Sequence, residues 1–150
     1  MISERLDELG IVLPPVFAPA ANYLGCVVDG DLVWVSGHGP ISGETIVTGK
    51  VGAAVSLEQA REAARLTGLS ILATLRAELG DLDRIERIIK LLGMVNCAPG
   101  FNQTPAVIDG CSDLLVEVFG EAGRHARSAV GMAELPFDIS VEIELTARIR

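Results

Sequence analysis

Cysteine is scarce in this chain and badly placed for cross-linking. There are three residues, at 26, 97 and 111, an odd number without a C-x-x-C pair or a histidine at ligand spacing. That pattern encodes neither a disulfide framework nor a zinc site, so Cys26, Cys97 and Cys111 read as small buried hydrophobes in a reducing, cytoplasmic setting. Positive charge is also in short supply. Twelve Lys plus Arg stand against twenty acids, a net charge of −8, which opposes approach to a phosphate backbone, so no nucleic-acid partner is expected. No uninterrupted apolar run approaches the roughly eighteen residues of a membrane span. The opening MISERLDELG lacks the apolar stretch of a secretion signal, so no membrane partner is expected either. Nucleophile elbow, P-loop, dinucleotide fingerprint and zincin motif are all missing, and Gly37-His38-Gly39 has the wrong spacing for a phosphate-binding loop. No cofactor or metal is expected. A Ser36, His38, Asp31 triad can be drawn on paper, but nothing in the spacing supports it.

What is present is one domain's worth of apolar sequence: 150 residues, 49% hydrophobic, enough to bury a core without staples. Ser3–Leu9 forms a short amphipathic helix stopped by Gly10, and residues 1–18 read as an N-terminal extension. Leu13 to Ala21, rich in proline, is an extended lead-in. Tyr23–Val28 and Leu32–Ser36 flank Asp29-Gly30-Asp31 as a β-hairpin, and Thr45–Thr48 is a further short strand. Ser56 and Gln59 form a capping box, opening a helix to Leu79 with a wide alanine and leucine face. Asp81–Arg84 is a turn of helix, Ile85–Val95 a buried strand and Ala98–Gln103 a loop. A second long helix runs from about Pro105 to Glu121, with Gly110 weakening its centre. Ser128–Ala133 and Ile139–Ile149 complete the chain, read as a terminal antiparallel hairpin. The fold class is α+β: a sandwich with two long helices on one face of a mixed β-sheet.

The last strand alternates Ile139, Val141, Ile143, Leu145 against Ser140, Glu142, Glu144, Thr146. Helices can cover only the apolar side, so the face carrying Glu142 and Glu144 must meet solvent, a ligand or another subunit; the apolar composition favours an oligomer.

Among polar residues, Arg127 is the first candidate for chemistry, because it stands at the head of a strand of small residues. Its planar fork can hold a carboxylate through two parallel hydrogen bonds, although an ion pair with one of the twenty acids is the commoner fate of such an arginine. Glu142 by itself reads as a solvated strand carboxylate, and Tyr23 as a packing aromatic.

Tyr23, the hairpin ending Val35-Ser36-Gly37, then Ala126-Arg127-Ser128-Ala129-Val130, Leu135-Pro136 and Val141-Glu142-Ile143-Glu144 together resemble the Rid (YjgF-like) family, the reactive intermediate deaminases also labelled endoribonuclease L-PSP-like. The resemblance spans roughly residues 19 to 149. It implies a chorismate-mutase-like sandwich and a homotrimer with ligand clefts between subunits. By position it makes Arg127 the clamp for a substrate carboxylate and Glu142 the residue beside the attacking water, both catalytic, with Tyr23, Ser36 and Gly37 as substrate-binding positions. The implied reaction is cofactor-independent hydrolysis of an enamine or imine such as 2-aminoacrylate to a 2-keto acid and ammonia. A non-catalytic trimer that binds small carboxylate metabolites is the alternative, and ribonuclease activity a third, opposed by the acidic balance. Asn22 before Tyr23, His38 after Ser36-Gly37, and Ala129 where many relatives carry cysteine mark a divergent subgroup.

Overall fold

The computed structural model describes all residues 1–150. Helix α1 (Ile2–Glu8) is followed by an irregular stretch to β1 (Cys26–Asp29) and β2 (Leu32–His38). The small hairpin β3 (Ile41–Ser42) and β4 (Thr45–Ile46) leads to α2 (Leu57–Leu79). Then come β5 (Ile85–Asn96), α3 (Thr104–Phe119), β6 (Ala126–Met132) and β7 (Val141–Ile149), with short 3₁₀ turns at Leu82–Arg84, Gly120–Gly123 and Pro136–Asp138.

The capping box operates as the sequence predicts: the Ser56 hydroxyl accepts from the Gln59 amide, and the Gln59 side chain accepts from the Ser56 amide. Gly30 occupies the first position of the β1–β2 turn with φ 63°, a conformation open to glycine at no steric cost. Gly110, expected to weaken α3, turns out to be required for packing. A Cβ there would overlap the Arg61 carbonyl oxygen of α2, so glycine lets the two helix backbones touch. Ile108 on the same helix packs over Gly93 of β5, and the two helices seal one face of the sheet over a core that includes Ile71, Leu75, Leu91, Leu115 and Ile143.

The five-stranded sheet has the order β1-β2-β7-β5-β6. This corrects the expected terminal hairpin. Strand β6 pairs parallel with β5, with Arg127 opposite Leu91, whereas β7 inserts antiparallel between β2 and β5. A crossover helix, α3, joins β5 to β6, which is the connection a parallel pair needs, and the chain then passes over β5 to reach the centre. Helix α1 docks through buried Leu6, through the Ile2 amide on Asp83, and through Arg5 Nε, which donates to the Glu117 carbonyl at 2.9 Å.

No helix is long and apolar enough to cross a membrane.

Candidate functional site

Because β7 is central and its alternation strict, Val141, Ile143, Leu145 and Ala147 are buried under the helices while Glu142 and Glu144 stand on the uncovered face. Cross-strand pairing extends that face to Met94 and Val130 beside Glu142, and to Val27, Trp34, Thr146, Lys90 and Ala126 in one row. A register shift between Val35 and His38 brings Gly37 beneath Glu142, so that a Cβ at residue 37 would overlap the carboxylate. Partial burial, reinforced by the charge of Glu144, raises the Glu142 carboxyl above the ordinary carboxylate range. The Ser36 hydroxyl donates to the Leu24 carbonyl at 2.5 Å, and Tyr23, more than a third exposed, is the next residue along. Ser36, Gly37 and Glu142 therefore share one neighbourhood, with Tyr23 at its border.

His38 lies on the other side. Its ring is buried against α2: Nδ1–H donates to the Ser36 carbonyl at 2.6 Å, Nε2 accepts from the Thr74 hydroxyl at 2.8 Å, and Phe17 packs edge-on at 4.8 Å. Desolvation lowers its pKa and keeps it neutral. Asp31 sits at the hairpin tip, 3.4 Å from Arg148, so the paper triad does not assemble.

Arg127 also faces the helices, since its register partner Leu91 is a fully buried core residue. From edge strand β6 it reaches α3. Nη1 donates to Asp109 Oδ1 at 2.7 Å and to Ser112 Oγ at 3.1 Å, and Nη2 to the Pro105 carbonyl at 3.4 Å. The ion pair anticipated as the commoner fate of Arg127 is thus formed. Ser112 is shared: its hydroxyl meets His125 Nε2 at 3.0 Å, while His125 Nδ1–H donates to the Gly123 carbonyl at 2.7 Å. Burial, with Arg127's charge adding to it, depresses the His125 pKa. An open cleft bordered by Ser112, Glu117, Arg124, His125 and Arg127 runs past this cluster. A larger groove between α2 and the β4 region contains none of the predicted site residues.

Within one protomer Arg127 and Glu142 are therefore on opposite faces of the sheet. Sequence reading missed Asp109, Ser112 and His125. The available signal was the three-residue spacing of Asp109 and Ser112, which places both on one side of α3. The three thiols are free, and burial pushes Cys111 up to about 12, Cys26 and Cys97 also upward, which leaves them poor nucleophiles. No group of three or more His, Cys, Asp or Glu side chains is placed to hold a metal ion.

Residues 3–148 match the family model described as "YjgF/chorismate mutase-like, putative endoribonuclease", a span that takes in the α1 region read from sequence as an extension. The chain is 43% identical over 147 residues to "Protein TCP17" of Trypanosoma cruzi, covering 95% of this chain and 91% of that one. Among solved structures, the protein Atu1372 "with unknown function" from Agrobacterium tumefaciens is 47% identical with a TM-score of 0.92, over 99% of this chain and 92% of the other. A "putative endoribonuclease" from Shewanella oneidensis superimposes with a TM-score of 0.95 at 33% identity over 99% of both chains.

Proposed function

The chain belongs to the YjgF/chorismate mutase-like family, and from that membership we propose that it hydrolyses enamine or imine intermediates of the 2-aminoacrylate type to 2-keto acids and ammonia, without a cofactor. The observation that carries the reading is the state of Arg127. Five N–H groups radiate from a guanidinium; three are directed at Asp109, Ser112 and Pro105, and Nε–H has no acceptor in the protein. Nε and Nη2 share one edge of the fork, the edge that can match the two oxygens of a carboxylate, and along it the protein makes only the long 3.4 Å contact from Nη2 to the Pro105 carbonyl.

The chemistry asks for little beyond that grip. The enamine takes up a proton from solvent at its terminal carbon and becomes an iminium, whose carbon is already electrophilic. Water adds to it, the carbinolamine collapses, and the C–N bond breaks to give the keto acid and ammonium. Orienting substrate and water contributes much of such a rate. Glu142 accepts the proton of the adding water and returns it to the departing nitrogen, and its raised pKa brings it nearer to neutrality, where proton transfer in both directions is effective. Since Arg127 and Glu142 occupy opposite faces of one protomer, a single cleft holding both draws them from different subunits, which agrees with the homotrimer that the family resemblance implies.

The test is ammonia release from 2-aminoacrylate generated in situ. Arg127→Ala should lose roughly a hundredfold or more in rate, the scale of a bidentate charged contact. Equal rates in the two proteins would overturn the reading. Saturable pyruvate binding without turnover by the wild type would instead leave a carboxylate-binding trimer.

A further inference from the structure

Of the groups outside the proposed reaction, Asp109, Ser112 and His125 stand apart because all three converge on Arg127. We propose that they form a positioning cradle for that guanidinium, one that turns its Nε–Nη2 edge outward to meet the substrate carboxylate. The proposal rests on the deaminase reading of the same arginine.

The geometry fixes each atom in turn. Gly123 lies so close to α3 that a Cβ would overlap the Leu115 carbonyl oxygen, so the chain just before β6 is held against the helix. Its carbonyl can only accept, so His125 Nδ1 carries the hydrogen in that 2.7 Å contact. In the neutral ring Nε2 is then an acceptor, and neutrality is what burial beside Arg127 favours. The Ser112 hydroxyl must therefore give its one hydrogen to His125 at 3.0 Å, which turns its lone pairs toward Arg127 Nη1 at 3.1 Å. Asp109 takes the other Nη1–H at 2.7 Å.

Both hydrogens of Nη1 are thus consumed and the plane of the fork is set. An arginine on an edge strand without such anchors would sample several rotamers and lose that freedom on binding. Here the loss is already incurred on folding. Asp109 does not close the site: its contact is with Nη1, at the far side of the fork from Nε. His125 is a positioning residue that acts through Ser112, and neither touches the substrate.

The experiment measures pyruvate binding calorimetrically, with the melting temperature, for wild type, Arg127→Ala, Ser112→Ala, Ser112→Thr and His125→Phe. Loss of one neutral orienting hydrogen bond corresponds to about a fivefold to tenfold change in an equilibrium constant. Ser112→Ala and His125→Phe should weaken pyruvate by that factor, and Ser112→Thr, which keeps the hydroxyl, should restore it. In turnover the same variants should raise KM more than they lower kcat, because ground state and transition state share the carboxylate. If Arg127→Ala weakens binding but Ser112→Ala and His125→Phe bind like wild type, the cradle is wrong and the deaminase reading stands. The cradle is also wrong if both variants melt early and Ser112→Thr fails to rescue affinity, since the contacts then serve the fold alone. If wild type and Arg127→Ala bind pyruvate alike, the reading itself has failed and the cradle falls with it.

Discussion

The carboxylate of Glu142 occupies the space that a side chain at Gly37 would need. The glycine is not demanded by its backbone, since its φ is not positive. What it provides is room for a carboxylate to lie flat on β2. Gly37→Ala should therefore cost little stability, about 0.5 kcal/mol, because the displaced atoms are the tip of a flexible side chain. It should nevertheless lower ammonia release about a hundredfold, the effect of an ångström's displacement of a catalytic group. Paired denaturation curves and rates check this, and a variant that is both stable and fully active would remove Glu142 from the chemistry.

Glu142→Gln separates charge from shape at the same place. A carboxyl whose pKa is raised on folding binds its proton more tightly in the folded chain, so its contribution to stability declines as pH rises from the ordinary carboxylate value through the raised one. The amide carries no such penalty. Glu142→Gln should melt slightly above wild type at pH 7, by about 0.5 kcal/mol given its partial solvation, and the gain should vanish below about pH 4. Activity should fall roughly a hundredfold at neutral pH, the scale of general acid–base help, and the deficit should narrow in acid as the wild-type carboxyl itself becomes protonated.

Local chemistry carried much of the architecture into the sequence. Ser56 with Gln59, the glycine turn at residue 30 and the strict alternation of β7 each depend on neighbours a few residues away, and each was readable, as was the uncovered face bearing Glu142. Strand order was not. β6 and β7 are consecutive and close, and consecutive strands usually pair, yet the partner of Arg127 is Leu91, thirty-six positions earlier. That pairing decides which face Arg127 takes, and no period within Ala126–Met132 reveals it. Asp109 and Ser112 became site residues only once β6 was laid against β5 under α3.

Gly110→Ala is expected to destabilise the protein although it improves helix propensity. Alanine gains up to about 1 kcal/mol over glycine inside a helix. The added methyl, however, would meet the Arg61 carbonyl oxygen, which belongs to the backbone of α2 and cannot swing away. Overpacking of this kind costs about 1–3 kcal/mol, so the midpoint of urea unfolding should fall. An unchanged or raised midpoint would mean that α2 and α3 can separate without penalty.

Acid should loosen the fold before its carboxylates titrate. His38 and His125 are both held neutral with pKa values below the ordinary imidazole range, burial being the larger cause in each. Unfolded chains take up those protons first, so stability that is present above about pH 6.5 is lost as pH falls below it toward the depressed values. Each histidine can contribute a slope of up to about 1.4 kcal/mol per pH unit in that window. Urea midpoints between pH 8 and pH 5 for wild type and His38→Gln should differ in slope, the variant being flatter, and equal slopes would show that His38 titrates normally.

Trp34 reports on the uncovered face. It is the only tryptophan and is 52% exposed in the protomer, in a row with Val27, Thr146 and Lys90. This row crosses β7 two residues along from Glu144 and presents a half-exposed indole, and it is the surface we propose for contact between copies of the chain. Association should withdraw the indole from water and shift its emission to shorter wavelength on concentration. Trp34→Lys should prevent association, since it removes a large aromatic anchor worth about 2 kcal/mol or more and sets a second ammonium on the face of Lys90. Light scattering should then give the mass of one chain, with the far-ultraviolet circular dichroism of the folded protein retained. Ammonia release should disappear with the assembly, because Arg127 and Glu142 would no longer meet. A monomeric Trp34→Lys protein with wild-type turnover would mean that one protomer suffices, and that these two residues do not act in the same reaction.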